Sequence, residues 1–349
     1  MMKGATEHLV VVSENLPSAT QIRKWFGLAT FALIFTLCGA VAEAQQSAKM
    51  SQVGFIQTSR PEEIAHLAKS FEDGLRVLGY VEGRNIALDR RYANGRQERL
   101  PGLAAELVRM KPDVIVSGAN PVIAALKQAT RTIPVVMAVS RDPEGAGFIS
   151  SLAHPGGNIT GLSNDPTPEI IGKNLELLKE TIPRLSRVGF IWNPVPPGAQ
   201  TYKNIAERTA RQLRIAFKTA EVRGQDDFEI AFAALVKQRV DGVLVLPDPV
   251  IFGPRNQLVR LAAKHRLPAM YGLREFPEAG GLMSYGSNIA NQFRRAATYV
   301  DKILKGAKAA DLPVEQPMKF EFVINLQAAK QIGVTIPPNV LVRADKVIK

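Results

Sequence analysis

The 349-residue sequence contains a single cysteine, Cys38, and only four histidines, and these shortages exclude several kinds of site. One cysteine cannot form an intramolecular disulfide or a cluster of thiolate metal ligands. The histidines His8, His66, His154 and His265 are isolated and lack the spacing of metal ligands. The sequence therefore offers no disulfide framework and predicts no metal centre.

Signatures of covalent and phosphate chemistry are also missing. The sequence has no G-x-S-x-G nucleophile elbow and no G-x-x-x-x-G-K phosphate loop. The pair Gly145-x-Gly147 is at most half of a dinucleotide fingerprint. Because no base accompanies a nucleophile either, we expect no cofactor and predict that the protein is not an enzyme.

The composition is that of a folded protein with a basic surface. Hydrophobic residues make up 46% and charged residues 22% of the chain, which argues against disorder, and the length suffices for two domains. A formal net charge of +12 is compatible with nucleic acid, an acidic membrane or an anionic ligand. No basic stripe interleaved with aromatic residues accompanies the densest pairs, Arg90-Arg91 and Arg294-Arg295. Solvated faces are therefore favoured, and no nucleic-acid partner is expected.

The first 44 residues are typical of a cleaved signal peptide. Arg23-Lys24 form a basic region, Trp25–Val41 an apolar core and Ala42-Glu43-Ala44 an A-x-A cleavage site. A transmembrane anchor is the alternative. However, glycines interrupt the apolar run, and it is shorter than the about 20 residues that a membrane-spanning helix needs. We therefore predict a signal peptide over residues 1–44 and a periplasmic location, and interpret residues 1–21 as an over-extended start.

The position of Cys38 within this apolar core raises the alternative of a lipoprotein anchor. Leu37, just before it, is bulky, whereas a lipoprotein signal has a small residue at this position. This alternative is therefore disfavoured. The mature chain would then begin at Gln45 and contain no cysteine. Such a chain tolerates an oxidising compartment without disulfides.

The first half of the chain alternates strand-length apolar runs with segments whose apolar residues recur every three or four positions. This rhythm predicts a parallel sheet with helices on both faces. The predicted strands are Val53–Gln57, Asn85–Tyr92, Asp113–Ser117 and Ile133–Val139. The predicted helices are Ile64–Leu78, Leu100–Met110 and a third that ends near Thr130.

The same rhythm restarts at Arg187. The triplet Val-Gly-Phe opens both halves, at Val53 and Val188, and Pro-Val-Ile follows an aspartate at the same offset at Pro121 and Pro249. Their common order predicts two structurally equivalent lobes. The predicted strands are Arg187–Trp192, Ile215–Val222, Asp241–Leu246 and Leu267–Tyr271, with helices at Ala199–Leu213, Phe228–Gln238 and Asn256–His265.

The remaining segments predict a hinge between the lobes. Ser140–Asp142 is expected to form a lip of the first lobe, joined by a short helix to a hinge strand at Asn158–Ser163. The C-terminal elements are expected to return to the first lobe and cross again to the second. The predicted C-terminal elements are strands at Leu282–Gly286 and Phe320–Asn325 and helices at Ile289–Lys305 and Leu326–Ile332.

The predicted fold class is α/β, with two doubly wound parallel-sheet lobes joined by a three-strand hinge. The first lobe is predicted to comprise residues 50–160 and 288–318. The second is predicted to comprise residues 161–287 and 319–349.

Ligands of open parallel sheets bind beyond the carboxyl ends of the strands, where helix N-termini present free N–H groups. Gly118-Ala119-Asn120, at the start of a helix, suits an anion such as an amino-acid carboxylate, with a plain turn as the alternative, and Asp248 suits a ligand amine or hydroxyl. Loops of the two lobes would face each other across a cleft. The candidate ligand-binding residues are Thr58, Ser59, Ser117, Gly118, Ala119, Asn120, Ser140, Arg141, Asp142, Asn193, Asp248 and Tyr285.

Ordinary turn chemistry is an open alternative for several of these residues. Asp248 lies between two prolines, and Asn193 precedes Pro194, as turn residues commonly do. For Asp142 the turn role is favoured over ligand binding. Tyr285 would either stack on a ligand or pack within the hinge.

Six motifs spread over the chain form a recognisable combination. They are Asp142-Pro143, Pro155–Gly161, Gly280–Gly286, Ile303–Gly306, Asp311–Pro317 and Asn325–Pro337. Together they resemble the substrate-binding proteins of ABC transporters, in the group that includes tryptophan- and tyrosine-binding members. The resemblance covers the chain from Val53 to its end.

The resemblance implies a type I periplasmic-binding-protein fold that captures a small molecule by hinge closure and delivers it to an inner-membrane permease. Our first expectation for the ligand is an aromatic or branched amino acid, its carboxylate held by Ser117 to Asn120 and its ammonium by Asp248. We expect a monomer. A sensor that presents its closed form to a membrane receptor is the alternative function, and a periplasmic enzyme is less favoured.

Overall fold

The computed structural model describes residues 50–164 and 167–349 of the chain. The predicted signal peptide over residues 1–44, with Cys38, lies outside the described residues and stays a prediction. No helix in the two described ranges is long and apolar enough to cross a lipid bilayer.

The described strands belong to two sheets. The first sheet contains β1 (Ser51–Gln57), β2 (Ile86–Tyr92), β3 (Val114–Gly118), β4 (Val135–Val139) and β5 (Ile159–Gly161). The second contains β6 (Arg187–Trp192), β7 (Ala216–Glu221), β8 (Gly242–Val245), β9 (Ala269–Tyr271), β10 (Met283–Ser287), β11 (Phe320–Asn325) and β12 (Lys346–Ile348).

The helices, in chain order, follow the predicted alternation with the strands. They are α1 (Ala65–Val77), α2 (Leu100–Arg109), α3 (Asn120–Ala129), α4 (Ile170–Thr181), α5 (Ala199–Gln212), α6 (Phe228–Lys237), α7 (Pro249–Phe252), α8 (Arg255–Lys264), α9 (Glu275–Glu278), α10 (Ile289–Leu304), α11 (Leu326–Ile332) and α12 (Pro338–Leu341). Short 3-10 turns lie at Gln97–Arg99, Gln225–Asp227 and Ala309–Asp311.

The first sheet is parallel throughout, in the order β2-β1-β3-β4-β5. Its central strands β3 and β4 are almost entirely buried, as strands covered on both faces must be. Helix α10 packs against α1 in this lobe although it follows β10 in the chain. Their contact is close at Gly74, where a Cβ would lie 2.4 Å from the carbonyl oxygen of Arg294, so the packing requires glycine.

The second sheet has the order β12-β11-β10-β9-β8-β6-β7 and contains one antiparallel pair. The prediction of parallel-sheet lobes did not include this pair. Strand β10 ends at the cleft, the chain passes through α10 in the first lobe, and β11 begins again at the cleft. Ser287, the last residue of β10, therefore pairs with Phe320, the first residue of β11.

The segments that cross between the lobes lie side by side. Leu162, in the first crossing, forms a parallel bridge with Glu315 in the third. The backbone N–H of Ser163 donates to the Glu315 carbonyl oxygen at 2.9 Å. Gln292, just after the second crossing, donates through Nε2 to the Ser163 carbonyl oxygen at 2.8 Å. Hydrogen bonds thus join the three crossings into one hinge.

Two local expectations between the lobes differ from the structure. The short helix predicted between Ser140–Asp142 and Asn158–Ser163 is wrong, because this stretch forms turns. Its glycines explain the difference: Gly147 and Gly156 adopt φ values of +70° and +75°, which an α-helix does not contain. Conversely, no helix is predicted between Ser163 and Arg187, where the structure has α4.

Candidate functional site

A cavity of about 110 Å³ lies between the lobes, at the carboxyl ends of both sheets. A single water needs about 10–15 Å³ on the same measure, so the cavity has room for a small molecule. The first lobe contributes the ends of β1, β3 and β4, and the second contributes the loops after β6 and β8. The candidates that line it are Thr58, Ser59, Gly118, Ala119, Asn120, Ser140, Arg141, Asn193 and Asp248.

Ser117 and Asp142 do not line the cavity. Ser117 is completely buried within β3, between neighbouring strands. The Oδ1 atom of Asp142 accepts a hydrogen bond from the backbone N–H of Gly145 at 3.0 Å. Asp142 thus closes the turn after β4, which was the favoured alternative for this residue.

Tyr285 also lies away from the cavity lining. It pairs with Phe322 across the antiparallel β10–β11 ladder. Its ring centroid is 5.7 Å from that of Phe320 and 6.3 Å from that of Phe322. The packing alternative therefore describes this tyrosine, because the unpredicted antiparallel pair gives its ring aromatic neighbours.

The loop that begins α3 has a strained backbone but few free N–H groups. Ala119 has a φ of +87°, a region that favours glycine. Its N–H donates to the Val139 carbonyl oxygen at 2.7 Å, and its carbonyl oxygen accepts from the N–H groups of residues 122 and 123. Pro121 has no N–H to offer. An anion at this helix start would therefore find mainly the N–H of Asn120.

The Asn120 side chain connects the lip to the other lobe. Its Oδ1 accepts from Ser140 Oγ at 3.2 Å and from the Arg141 N–H at 2.9 Å. Its Nδ2 donates to the carbonyl oxygens of Arg141 at 2.8 Å and Pro197 at 3.2 Å. Because Pro197 belongs to the loop after β6, this amide bridges the cleft. Its hydrogen-bonding capacity serves the protein rather than a ligand.

Arg141 reaches across the cleft in the same direction. Its guanidinium donates through Nη1 to the carbonyl oxygen of Pro247 in the second lobe. Its Cζ lies 5.9 Å from the centroid of the Tyr202 ring, within the range of a cation–π contact. With these contacts made, the structure shows the cleft in a closed form.

Asp248 is a buried carboxylate at the start of α7. It is 8% exposed, and its Oδ1 accepts from Asn193 Nδ2 at 3.1 Å and from the Val250 N–H at 3.0 Å. Burial raises the pKa of Asp248 above its ordinary value, and the opposing effects of these hydrogen bonds and of Arg141 do not cancel the rise. A cationic ligand group would stabilise the ionised form, because it would replace the lost solvation.

The end of β1 supplies polar groups that the sequence analysis missed in part. Gln57 lines the cavity beside the predicted Thr58. Gln57 Nε2 and Thr58 Oγ1 are buried and have no hydrogen-bond partner among the described residues. Such groups retain capacity for a ligand. Residues 50–164 and 167–349 hold no group of three His, Cys, Asp or Glu residues that could bind a metal ion.

The apolar wall of the cavity was also missed. Phe252 and Phe293 approach from the two lobes, and each packs on an aromatic ring behind it, with centroids 6.1 Å and 6.2 Å apart. The helical spacing of apolar residues marks such positions as buried, but it is the same for a core residue and a cavity residue. The other apolar lining residues include Ile64, Leu67, Tyr202, Leu273 and Ile289.

The chain matches the ABC transporter substrate binding protein family over residues 53–348. It belongs to that family. The predicted family and the two-lobed type I periplasmic-binding-protein fold are confirmed. Members of this family are substrate-binding proteins, which makes the cavity between the lobes the candidate ligand site.

Several relatives cover nearly the whole described chain. The tyrosine-binding protein of Clostridioides difficile is 25% identical over 286 residues, which are 82% of this chain and 82% of that protein. The crystal structure of a conserved domain protein from Vibrio cholerae has 30% identity and a TM-score of 0.80, and the match covers 86% of this chain and 100% of that one. A Streptococcus pneumoniae ABC domain in complex with L-Trp has 27% identity and a TM-score of 0.78, covering 85% and 99%.

Proposed function

We propose that this substrate-binding protein captures an aromatic amino acid in the cavity between its lobes. The observation that carries the proposal is the composition of the cavity, in which a buried carboxylate, Asp248, lies in the same space as an aromatic wall. An α-amino acid presents an ammonium and a side chain to such a site. The tyrosine-binding protein and the L-Trp complex among the relatives favour an aromatic over a branched side chain.

In the proposed complex the ligand ammonium lies against Asp248 and the ring against Phe252 and Phe293. The carboxylate lies at the end of β1 and the start of α3. Support comes from Gln57 Nε2 and Thr58 Oγ1 and from the backbone N–H of Asn120, for which residues 50–164 and 167–349 provide no hydrogen-bond acceptor or donor. In this arrangement the ligand carboxylate is not held by the whole Ser117 to Asn120 segment, as the sequence predicted. Most backbone N–H groups of that segment already donate hydrogen bonds within the protein.

Ligand capture is proposed to work by closure of the hinge. A ligand that contacts both lobes favours the closed form in proportion to its difference in affinity for the two forms. The cross-cleft contacts of Asn120 and Arg141 add to that preference. The proposed lobe boundaries are residues 50–160 with 288–318 and residues 161–287 with 319–349. The hinge hydrogen bonds between the crossing segments support them.

The proposed setting is the periplasm, where the closed monomer presents its ligand to an inner-membrane ABC permease without catalysing a reaction. Family membership supports this partner, since substrate-binding proteins of ABC transporters serve transport. No separate observation in the described residues favours the sensor function. The alternative enzyme has no support in the site, where Asp248 is engaged by Asn193 and Val250.

Titration calorimetry of the purified protein tests the ligand class. The panel contains L-tryptophan, L-tyrosine, L-phenylalanine, L-leucine and L-isoleucine, with D-tryptophan and indole as matched controls. We expect saturable binding of at least one aromatic L-amino acid and weaker binding of indole, which lacks the ammonium and carboxylate. Binding of the branched amino acids alone, or of no member of the panel, would contradict the proposal. Mass spectrometry of ligand released on denaturation provides an independent identification.

A further inference from the structure

The amino-terminal edge of the second sheet carries a row of arginines at the end of the strands opposite the cleft. The strand pairing sets Arg187 beside Ala216, Val188 beside Gly242 and Val243 beside Ala269, so four neighbouring strands begin close to one level. Strands lie about 4.8 Å apart, so these four starts span about 15 Å. In the spatial order β9-β8-β6-β7 they are preceded by Arg266, Arg239, Arg184 and Arg214.

These four side chains are exposed, whereas the carboxylates of the same region are engaged. Asp241 Oδ2 accepts from the N–H and Oγ of Ser186 at 2.9 Å and 2.6 Å and from the Arg187 N–H at 2.8 Å. Glu180 pairs with Arg343, and Glu229 lies 3.6 Å from Lys264. The row therefore presents positive charge to solvent.

Three of the arginines occupy a backbone conformation that favours glycine. Arg214, Arg239 and Arg266 have φ values of 58°, 55° and 51°, each just after the end of a helix. In each case the N–H of the next residue bonds the carbonyl oxygen five residues before it, at 2.8, 3.3 and 2.9 Å. This is the Schellman arrangement, whose left-handed position is most often glycine.

The chain uses glycine at other helix ends and could be expected to use it here. Gly79, Gly306 and Gly333 have φ values of 89°, 99° and 75°. A side chain in the left-handed region costs conformational energy that glycine avoids. Arginine at three neighbouring helix ends therefore retains charge at the expense of stability.

Interaction with the helix dipoles does not account for these arginines. Cations stabilise the last turn of a helix, where the negative end of the dipole lies. Helices α5, α6 and α8 already carry Arg211, Lys237 and Lys264 in that last turn. The arginines of the row add a second cation to each end, which indicates an external partner.

We propose that this arginine row is a docking surface for a bilayer of anionic lipid headgroups. Guanidinium groups bind phosphates through paired N–H donors, and several cations along one edge match a plane of phosphates. Val236, 42% exposed beside Lys237, adds an apolar side chain suited to a membrane interface. An acidic protein is the competing partner, but a row of like charge fits a uniform anionic surface with no need for a complementary shape. Because the cleft lies at the other end of the strands, docking on this surface would not cover the entrance to the cleft.

Vesicle sedimentation with the full protein tests this surface. Vesicles of phosphatidylglycerol mixed with phosphatidylcholine are compared with pure phosphatidylcholine at about 0.05 M and about 0.5 M salt, where the screening length differs severalfold. We expect binding to the anionic vesicles alone, and its loss at high salt. The triple variant R214G/R239G/R266G is expected to bind on the order of 100-fold more weakly, because each cation near an anionic surface contributes roughly fivefold.

Glycine suits the backbone at all three positions, so the triple variant should melt at the same or a higher temperature than the wild type. The matched control R96Q/R109Q/R131Q removes the same charge from exposed sites of the first lobe and should bind as the wild type does. Equal losses in both variants would show that only net charge matters and would overturn the proposal. Undiminished binding by the glycine variant, or binding to polyglutamate but not to vesicles, would also overturn it.

Discussion

The side-chain amide of Asn120 lies 3.2 Å from the carbonyl oxygen of Pro197, so one hydrogen bond spans the cleft between the lobes. The same side chain holds Ser140 and Arg141 in the lip. Arg141 in turn reaches Pro247 and the ring of Tyr202. Asn120 is thus placed to couple the shape of the lip to lobe closure.

Replacing Asn120 with alanine is predicted to weaken closure. The substitution removes hydrogen bonds that each contribute about 0.5–1.5 kcal/mol, and the bond to Pro197 joins the two lobes, so it would break when they separate. We expect ligand affinity to fall about 10-fold and the average radius of gyration of the unliganded protein to rise in small-angle scattering. Asn204→Ala, an exposed position on α5, serves as the control and should change neither quantity. Unchanged affinity in Asn120→Ala would contradict a role in closure.

Replacing Asp248 with asparagine separates ligand binding from folding. A charge-assisted hydrogen bond to the ligand ammonium contributes about 1.5–3 kcal/mol, so its loss should reduce affinity roughly 10- to 100-fold. The melting temperature of the unliganded protein should stay the same or rise, because the substitution replaces a buried carboxylate, whose pKa is raised by burial, with a neutral amide. Asp226→Asn, at an exposed position, is the matched control. Unchanged affinity together with a lower melting temperature would assign Asp248 to the cap of α7 alone.

The raised pKa of Asp248 predicts opposite pH dependences for stability and for ligand affinity. The folded protein holds the proton of this carboxyl more readily than the unfolded chain, whose pKa is near 3.8. The contribution of Asp248 to stability is therefore present at low pH and is lost as pH rises from 3.8 through the higher folded value. Ligand affinity should rise over the same window, because the ammonium binds the ionised form. Calorimetry and thermal melts across this range test both trends, and Asp248→Asn should flatten them.

The sequence predicted the strands and the strand-end loops because buried parallel strands appear as short apolar runs, and topology then brings their carboxyl ends together. Thr58, Asn193 and Asp248 were placed at the cavity by this argument alone. Tyr285 was not, since its position depends on an antiparallel pair formed only when the chain returns from the first lobe.

The apolar half of the site could not be predicted for a different reason. Phe252 and Phe293 lie on helices whose apolar spacing is that of any buried face. The bond from Asn120 to Pro197 joins residues 77 positions apart, and it requires both the fold and the closed cleft. Local patterns therefore indicated which loops lie close together. They did not indicate which side chains hydrogen-bond to other parts of the protein and are unavailable to a ligand.

Gly118 connects the strand-end loop to the aromatic wall and provides a steric test of the cavity. A Cβ at this position would lie 2.8 Å from Cζ of Phe293, at the far end of a movable ring. Gly118→Ala should displace that ring, and because overpacking costs about 1–3 kcal/mol, we expect affinity for aromatic amino acids to fall roughly 5- to 100-fold. Gly102→Ala is the matched control, because a Cβ there meets no atom within 4 Å and alanine favours the helix. Titration calorimetry gives the ligand affinity of both variants. Equal affinities for Gly118→Ala and Gly102→Ala would show that the ligand does not contact the Phe293 side of the cavity.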